Sequence, residues 1–450
     1  MSLNKRYIAS IVIEADTPLR TGGNKESLLL DSPVLRDYND LPMILGTSIA
    51  GALRASYREN GAFREDEDAL FGYQEESEGI GSRVVVSNAH LIDEKGKAVE
   101  ELRLEKSGFL KLFDTLPVRE HVRIGHRGVA EHHGKFDEEL CYKGTRWRFE
   151  LEMLGDDGGM GNWNRLLALL SMPTFRLGAG TRKGYGKLKI VSIHSAIFDA
   201  AGSGYAEKSA SLNDIAGERW NGVQKLEAAF DRYVIELKPD DFFMFGSGLG
   251  DEDADMTPVY EPIIEWEEMC NPKLGEEYIL IPASSLKGAL SHRCAYYYNM
   301  AKEVWAEEVV PAGEAPKHTG ENNAAVAAIF GIAKGKEDPG RRGRILLSDI
   351  FVKNFATKVF DHVKIDRFTG GAKDGALFQE KVVSTEDTLE MEIVVEQLQQ
   401  IDAEYLEAFE RALLDLAGGR LPLGGNVNRG HGIFTGTVLK NGEELRNENR

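Results

Sequence analysis

Two glycine-rich segments with cations beside them are the residues of this sequence best suited to hold an anion. They are Leu177-Gly-Ala-Gly-Thr-Arg-Lys-Gly-Tyr-Gly186 and Leu423-Gly-Gly-Asn-Val-Asn-Arg-Gly-His-Gly432. Glycine permits positive φ and close approach of a backbone, so consecutive N–H groups can form an anion-holding nest. Arg182, Lys183 and Arg429 add positive charge for phosphate. A structural turn before a last strand is the alternative interpretation. Neither segment follows a strand and opens a helix, which disfavours a P-loop or dinucleotide site.

Two helix starts form a second feature that favours anions. They are Leu45-Gly-Thr-Ser-Ile-Ala-Gly-Ala-Leu-Arg54 and Pro282-Ala-Ser-Ser-Leu-Lys-Gly-Ala-Leu290. A helix N-terminus presents unpaired N–H groups and the positive end of the helix dipole. The hydroxyl groups predicted to contact phosphate or a 2′-OH belong to Thr47, Ser48, Ser284 and Ser285. Ordinary N-capping is the alternative, and both roles can hold together.

Three motifs occur twice in the same order, which indicates a duplication. Besides the two pairs above, His121-Val-Arg-Ile-Gly-His-Arg127 leads to Phe136, and His362-Val-Lys-Ile-Asp-Arg367 leads to Phe378. The helix start and the His motif are separated by 75 positions in the first copy and by 79 in the second. The His motif and the glycine segment are separated by 57 and 62 positions.

Each copy is predicted to follow the order strand, helix, strand pair, helix, strand. An alternating strand opens each copy at 7–14 and 232–238, and helices are expected at 49–57 and 286–298. This order is typical of the ferredoxin-like, or RRM-like, split βαβ plan. We therefore predict an α+β protein with two tandem modules, 1–198 and 229–450. The small and polar stretch around 200–216 predicts a linker over 199–228.

Composition and charge bound the class of protein. The chain has 450 residues, of which 42% are hydrophobic, and a net charge of −19, which disfavours simple attraction to nucleic acid. Backbone amides and locally clustered cations can still bind phosphate. No run of eighteen apolar residues or signal segment is present, and Cys141, Cys270 and Cys294 match no disulfide pattern. We expect a cytoplasmic protein that does not contact a membrane.

The repeated motifs resemble those of the RAMP superfamily. The two helix starts are similar to its Ser-Ser-Leu-Lys-Gly-Ala-Leu signature, and the two glycine segments to its glycine-rich loop. Val363-Lys-Ile-Asp-Arg-Phe-Thr-Gly-Gly-Ala resembles the thumb hairpin of type III CRISPR backbone subunits. The resemblance spans about residues 7–440. It implies an RNA-guided interference complex, possibly of type III-D, in which the partners are guide RNA, target RNA, other RAMP-family backbone subunits and the large polymerase-like subunit.

The resemblance also nominates a catalytic residue. Cleaving subunits of the family carry an aspartate in the loop after strand one, and Leu30-Asp31-Ser32-Pro33-Val34 matches that pattern. A carboxylate there could deprotonate the 2′-OH or hold a divalent ion, Mg or Mn, so Asp31 is also the predicted metal ligand. Aligning Pro258 with Pro33 places Met256 opposite Asp31 and Asp255 one position earlier. Asp255 is the predicted second catalytic residue, and a turn residue is the alternative for both aspartates.

Together these features predict a metal-dependent endoribonuclease that acts within the assembled complex. The predicted RNA-binding residues are Thr47, Ser48, Arg54, Arg123, Arg127, Gly178, Gly180, Arg182, Lys183, Gly184, Ser284, Ser285, Lys287, Lys364, Arg367, Gly424, Gly425, Asn428, Arg429 and Gly430. One alternative is a backbone subunit that binds both RNAs and cuts neither. Another is a guide-maturation endonuclease using His431 and Tyr185 as acid–base groups.

Overall fold

The fold is described from a computed structural model. It covers residues 3–22, 32–125, 128–222, 226, 230–268, 270–335 and 339–446, with the side chains of residues 131 and 133 left aside. Asp31 and Arg127 lie outside the described residues. Within those ranges, no helix combines the length and apolarity that crossing a membrane requires.

The first module is built on an antiparallel sheet around the first strand of the chain. Its strands are β1 Lys5–Ala15, β2 Tyr73–Glu75, β3 Glu78–Ile80, β4 Val84–Val86, β5 His90–Leu91, β6 Val118–Ile124, β7 Ala130–Glu139, β8 Arg146–Gly155, β9 Leu188–Asp199 and β10 Glu218–Arg219. Its α-helices are α1 Gly46–Glu59, α2 Arg64–Phe71, α3 Gly108–Lys111, α4 Met160–Leu169 and α5 Ser203–Glu207. The main sheet has the order β10-β9-β1-β8-β4, and β5 also pairs with β8.

The second module repeats this plan. Its strands are β11 Phe230–Pro239, β12 Tyr260–Glu267, β13 Cys270–Ile281, β14 Gly331–Ile332, β15 Arg341–Arg342, β16 Ile345–Leu347, β17 Ile350–Val352, β18 Ala356–Ile365, β19 Ala372–Ser384, β20 Leu389–Glu396, β21 Phe434–Lys440 and β22 Glu443–Glu444. Its α-helices are α6 Ala283–Ala301, α7 Ala306–Val309, α8 Ala324–Phe330 and α9 Ala403–Ala417. The main sheet has the order β16-β20-β11-β21-β22.

The two sheets share one topology. In each, the opening strand (β1 or β11) lies between the third and the last strand of the plan, and the second strand (β4 or β16) pairs with the third. This is the ferredoxin-like order, so the prediction of an α+β fold with two RRM-like modules is confirmed. The helices cover one face of each sheet because their apolar residues recur every four positions. Ile49, Leu53 and Tyr57 are the buried stripe of α1.

A long hairpin is inserted between the second and third strands of each plan. β6 and β7 form hairpin 1, and β18 and β19 form hairpin 2. His121 pairs across hairpin 1 with Phe136, and His362 pairs across hairpin 2 with Phe378. The repeated motif of the sequence is therefore the base of a duplicated hairpin.

The segment between the modules is held against the first module. Within the predicted linker, α5 and β10 form, and β10 pairs with the edge of β9. Lys208 Nζ lies 2.7 Å from Glu150 Oε2, and Tyr205 Oη donates to Glu152 Oε1 over 3.2 Å. The described part of this segment is thus a structured cover on the open face of the first sheet.

The modules meet through a buried ion-pair cluster. β12 and β13 form an arm that the second module extends towards the first. Arg119 of hairpin 1 donates to Glu261 of this arm over 2.7 and 3.0 Å and to Asp349 over 2.6 Å. All three side chains are buried. Since a buried charge is costly without its partner, this cluster fixes how the two modules are joined.

We predict that Arg119→Ala destabilises the protein strongly. The change leaves the carboxylates of Glu261 and Asp349 buried without their cation, which costs about 3–5 kcal/mol of unfolding free energy. Chemical denaturation followed by circular dichroism measures the loss. The control is Arg367→Ala in the exposed turn of hairpin 2, which should cost less than about 0.5 kcal/mol. Equal effects of the two changes would contradict the assignment.

Candidate nucleic-acid interface

In the second module, one buried glutamate joins hairpin 2 to the glycine-rich segment 423–432, which we term glycine loop 2. Glu380 is fully buried. Its carboxylate accepts hydrogen bonds from Asn426 Nδ2 over 2.6 Å and Arg429 Nη1 over 2.7 Å. His431 Nε2 and His362 Nε2 lie 3.0 and 2.8 Å from its Oε1. Hairpin 2 and glycine loop 2 are therefore both bound to the carboxylate of Glu380.

The first module repeats this cluster around Glu138. Lys183 of glycine loop 1, residues 177–186, donates to its carboxylate over 3.0 Å, and His121 Nε2 lies 3.2 Å away. Arg20, which follows β1, forms a further ion pair with it. Burial by itself would raise the pKa of Glu138, but hydrogen bonds from His121 and Lys183 outweigh it and hold the pKa at about 2.

Aromatic rings reinforce both clusters at equivalent positions. The His121 ring stacks on Phe136 with centroids 4.9 Å apart, and His362 stacks on Phe378 at 5.0 Å. Lys183 Nζ lies 4.5 Å from the centre of the Phe136 ring, and the Arg429 guanidinium 4.7 Å from that of Phe378. The cation of each loop is thus held over the hairpin by a cation–π contact as well as by a carboxylate.

Glycine is required where each loop crosses the segment after the opening strand. Gly178 has φ 81° and Gly424 has φ 88°. A Cβ at either position would lie 2.4 Å from a carbonyl oxygen, that of Arg20 or Met244. Gly180, Gly184 and Gly430 also have positive φ. The glycine pattern thus serves close backbone packing as well as any anion binding.

The two loops differ in their surroundings. Loop 1 lies under the second module, where a Cβ on Gly184 would meet Asp349 Oδ1 at 2.5 Å and the Ala283 side chain at 2.6 Å. Loop 2 has no module over it, and Gly424, Asn428, Arg429 and Gly430 are exposed. Gly425 is partly exposed. The same structure is therefore presented once inside a module junction and once at a free end.

A cluster of three cations lies where loop 1 meets the start of α6. Burial, together with the positive charges of Arg182 and Lys183, lowers the pKa of Lys287 to about 8. Arg182 forms an ion pair with Glu396 of the second module. Its Nε and Nη1 are buried without a hydrogen-bond partner among the described residues. This cluster has positive charge and N–H donors available for an anion.

The first N–H group of each helix start is already bound by a side chain, since Gly46 N donates to Asn88 Oδ1 over 3.0 Å and Ala283 N to Asp349 Oδ1 over 2.8 Å. The N-cap residues are Leu45 and Pro282, not the hydroxyl residues that follow them. Thr47, Ser48 and Ser285 are exposed, and Ser284 is partly exposed. N-capping, the alternative role, is therefore wrong for all four residues, because none of them stands at the N-cap position of its helix.

Other predicted RNA-binding cations lie in two different settings. Arg54 donates to Glu67 over 2.6 Å and to Asp68 over 3.0 Å, so it joins α1 to α2. Arg123 on hairpin 1 and Lys364 and Arg367 on hairpin 2 are exposed. The hairpins thus carry cations away from the module cores, whereas Arg54 is engaged within the fold.

The loops after the opening strands can be matched by their backbone hydrogen bonds. Glu139 N donates to Ser32 O over 3.1 Å, and Lys381 N donates to Met256 O over 2.8 Å. Bridges between Gly22 and Val34 and between Gly246 and Pro258 agree with this register. Ser32 therefore corresponds to Met256, one position away from the alignment of the two prolines. The residue before each, Asp31 and Asp255, is then the equivalent pair.

Asp255 lies in an exposed position at the base of hairpin 2. Its Oδ2 accepts a hydrogen bond from Gln379 N over 2.8 Å, which holds the loop against the hairpin. Asp251 and Asp253 instead form ion pairs with Lys381. Asp255 thus combines a fixed backbone with a carboxylate at the surface.

A family model identifies the fold. The RAMP superfamily model matches residues 12–189 and 272–435, which is well over half of the chain and one match in each module. The chain belongs to the RAMP superfamily. Membership makes it a CRISPR-associated RNA-binding subunit with two RAMP modules. A search of curated proteins found no match.

The described part of this RAMP protein contains no cluster of three or more His, Cys, Asp or Glu side chains that could hold a metal ion. Asp255 is positioned by Gln379, and its acidic neighbours are engaged by Lys381. These residues do not fit a resident metal ion in the second module. The predicted metal ligand Asp31 lies outside the described residues.

The groups proposed for guide maturation are not accessible in either RAMP module. Tyr185 is fully buried, and its Oη lies 2.8 Å from His121 Nε2. Burial raises the pKa of Tyr185 far above its usual range. His431 is 8% exposed and is engaged by Glu380. Both residues hold loop to hairpin, which disfavours acid–base roles for them.

Sequence reasoning missed the residues at the centre of each cluster. Glu138 and Glu380 stand two positions after the paired Phe136 and Phe378. A carboxylate at the same place in both copies was the available signal. A lone carboxylate is not a signal for phosphate binding, because phosphate is bound by cations and N–H groups.

We predict that Glu138→Gln lowers the unfolding free energy by about 3 kcal/mol at neutral pH, because Arg20 and Lys183 lose their buried counter-charge. The pKa of Glu138 is held at about 2, below its value in the unfolded chain. Its stabilisation is therefore complete above about pH 4 and is lost as the pH falls towards 2.

Denaturant unfolding of both proteins across this pH range measures the difference. Glu120→Gln on the same hairpin is the control, since Glu120 forms an exposed pair with Lys135 and should cost under about 1 kcal/mol. A deficit for Glu138→Gln that stayed constant down to pH 2 would show that the ionised carboxylate is not its source.

Proposed function

We propose that this RAMP protein is a backbone subunit of a type III CRISPR complex, in which each module binds guide RNA through its glycine loop and helix start. The cation cluster at the module junction is the observation that carries this proposal. Lys287 is depressed in pKa, and Arg182 has buried N–H groups without a partner. A phosphate could bind both side chains, whereas no described residue pairs with Lys287 or with Nε and Nη1 of Arg182.

The net charge of −19 does not oppose this assignment. Many of the carboxylates are engaged at internal positions, as Glu138, Glu380 and Asp349 show. The cations of the hairpins, Arg123, Lys364 and Arg367, are exposed. Local charge and backbone N–H groups therefore favour RNA even though the whole chain is acidic.

We further propose that the two modules cut target RNA at two positions, with Asp31 and Asp255 as the catalytic residues. In this reaction the 2′-oxygen attacks the adjacent phosphorus, the bond to the 5′-oxygen breaks, and a cyclic phosphate forms. The carboxylate would accept the 2′-OH proton, and the 5′-oxygen would take a proton from water. The exposed carboxylate of Asp255 at the hairpin base supports this role.

The divalent ion, Mg or Mn, is part of the proposal only as a species that arrives with RNA. Because the described residues form no metal site, phosphate oxygens would have to supply ligands. We place the protein in the cytoplasm, together with guide RNA, target RNA, other RAMP-family backbone subunits and the large polymerase-like subunit. Two fused modules favour type III-D.

We predict that Asp31→Ala and Asp255→Ala each remove one target cut from the reconstituted complex. Loss of a general base should slow the affected cut by about 10²–10⁴-fold, while guide binding and the other cut remain. Sequencing-gel analysis of end-labelled target RNA measures each position. Asp253→Ala is the control, because Asp253 lies in the same loop but forms an ion pair with Lys381. Two unchanged cuts in both aspartate variants would instead support the non-cutting backbone subunit.

We predict that Lys287→Gln weakens RNA binding without destabilising the free chain. Phosphate would raise the pKa of Lys287 from its value of about 8, so bound protein holds more protons than free protein. The affinity of wild type for guide RNA should therefore fall as the pH rises between about 7 and 9, and that of the variant should fall less. The variant should also show a salt dependence smaller by about one contact. Filter binding measures both. Identical pH and salt dependences would contradict phosphate contact at Lys287.

A further inference from the structure

The contact between the two modules is a matched set of opposite charges. The first module supplies Arg119, which binds Glu261 and Asp349, and Arg182, which binds Glu396. It also supplies Lys187, whose Nζ lies 2.8 Å from Glu392 Oε2, and Arg176, which donates to Leu347 O and Ser348 Oγ. We call the cationic side of the first module its donor face and the acidic side of the second module its socket.

The second module has a donor face of its own, with glycine loop 2 at its centre. Because His121 corresponds to His362 and Leu177 to Leu423, the four cations of the first module have counterparts in the second. These counterparts are Phe360, Pro422, Asn428 and Ile433. All four are uncharged. The free donor face therefore lacks every cation with which the first module binds an acidic socket.

This free donor face is accessible and partly apolar. Asn428 is exposed, and Phe360, Pro422 and Ile433 are partly exposed. Phe360 packs edge-on against Phe242 with ring centroids 5.3 Å apart, and Lys358 Nζ lies 4.9 Å from its centre. An acidic socket placed against this surface would leave its carboxylates desolvated without cations, which is unfavourable.

In the corresponding socket of the first module, neutral residues replace two of the junction carboxylates. Asn88 Oδ1 accepts from Gly46 N over 3.0 Å, as Asp349 Oδ1 accepts from Ala283 N over 2.8 Å, so Asn88 takes the place of Asp349. Met153 pairs with Val84 and Val395 with Ile345, so the next residues, Leu154 and Glu396, correspond. This socket therefore has neutral residues in the places of Asp349 and Glu396.

The socket of the first module is in addition partly covered by the chain itself. Glu150 corresponds to Glu392, and its Oε2 lies 2.7 Å from Lys208 of the intermodule segment. Lys208 thus occupies the position that Lys187 takes in the junction, where the distance is 2.8 Å. Tyr205 of the same segment binds Glu152. A second copy could not place its second module here without displacing this cover.

We propose that the free donor face of the second module binds a RAMP-type module of another chain whose socket is uncharged and uncovered, and that it does not bind a second copy of this chain. The partner module should dock as the second module docks on the first, because the free donor face is the duplicate of the donor face in the junction. Its socket should be uncharged, because the free donor face has none of the four cations with which the first module binds the acidic socket in the junction. The inference rests on the assembly role proposed above, but not on RNA cleavage.

The test uses the first module as the partner once its cover is removed. The uncovered variant carries Tyr205→Ala, Lys208→Ala and Glu150→Gln, which leaves an open and uncharged socket. A matched acidic variant adds Asn88→Asp and Leu154→Glu, which restore the junction carboxylates. Sedimentation velocity over a concentration series, without RNA, measures association of the full-length chains. Thermal melting checks that both variants fold.

Wild type is expected to stay monomeric, the uncovered variant to form concentration-dependent oligomers, and the acidic variant to return to monomer. In the oligomers, Asn428→Cys and Leu154→Cys should form an intermolecular disulfide, since their counterparts Arg182 and Glu396 are in contact. Oligomers joined by this disulfide in a chain that carries the two cysteines but keeps its cover, a monomeric uncovered variant, or equal association of the acidic variant would each overturn the proposal. Because the experiment contains no RNA, its failure would leave the proposed guide binding and cleavage untouched.

Discussion

A buried glutamate at the base of each hairpin is the constraint on which the arrangement of hairpin and glycine loop depends. Glu138 and Glu380 each bring a hairpin histidine and a loop cation to one carboxylate. An uncompensated charge at such a depth is expensive, so the cations, rings and glycines around it are held in one arrangement. Rigid loops of this kind lose little conformational entropy on binding, which is how main-chain N–H groups can recognise a ribose-phosphate backbone efficiently.

Buried ion pairs also join the two modules to each other. Arg119, Glu261 and Asp349 form a buried network across the junction, and it places glycine loop 1 against the start of α6. Lys287 and Arg182 thereby meet in one cleft. The phosphate site proposed there belongs to neither module alone. Duplication within one chain therefore brought cations of both modules into one cleft as well as repeating the module itself.

The sequence predicted the duplication, the RRM-like plan and the place of both hairpins, because motif order and hydrophobic periodicity are local properties. Part of the predicted linker 199–228 is structured, because α5 and β10 pack on the first sheet through polar contacts such as Lys208 with Glu150. Its small and polar residues did not predict these contacts. The predicted match between the loops after the two opening strands was wrong by one residue, because it aligned the prolines, whereas backbone hydrogen bonds set the register. The buried glutamates could be found only as a carboxylate repeated in both copies, and the junction ion pairs could not be found at all, because they join residues far apart in sequence.

The central claim is that both glycine loops and the junction cleft hold guide RNA. Ultraviolet cross-linking of the purified ribonucleoprotein, followed by mass spectrometry of the RNA-linked peptides, tests it most directly. The account predicts that RNA copurifies and that cross-links map to residues 177–186, 423–432 and 284–287. Cross-links confined to the outer helices α4 and α9, or a ribonucleoprotein preparation from which no RNA copurifies with this chain, would contradict it.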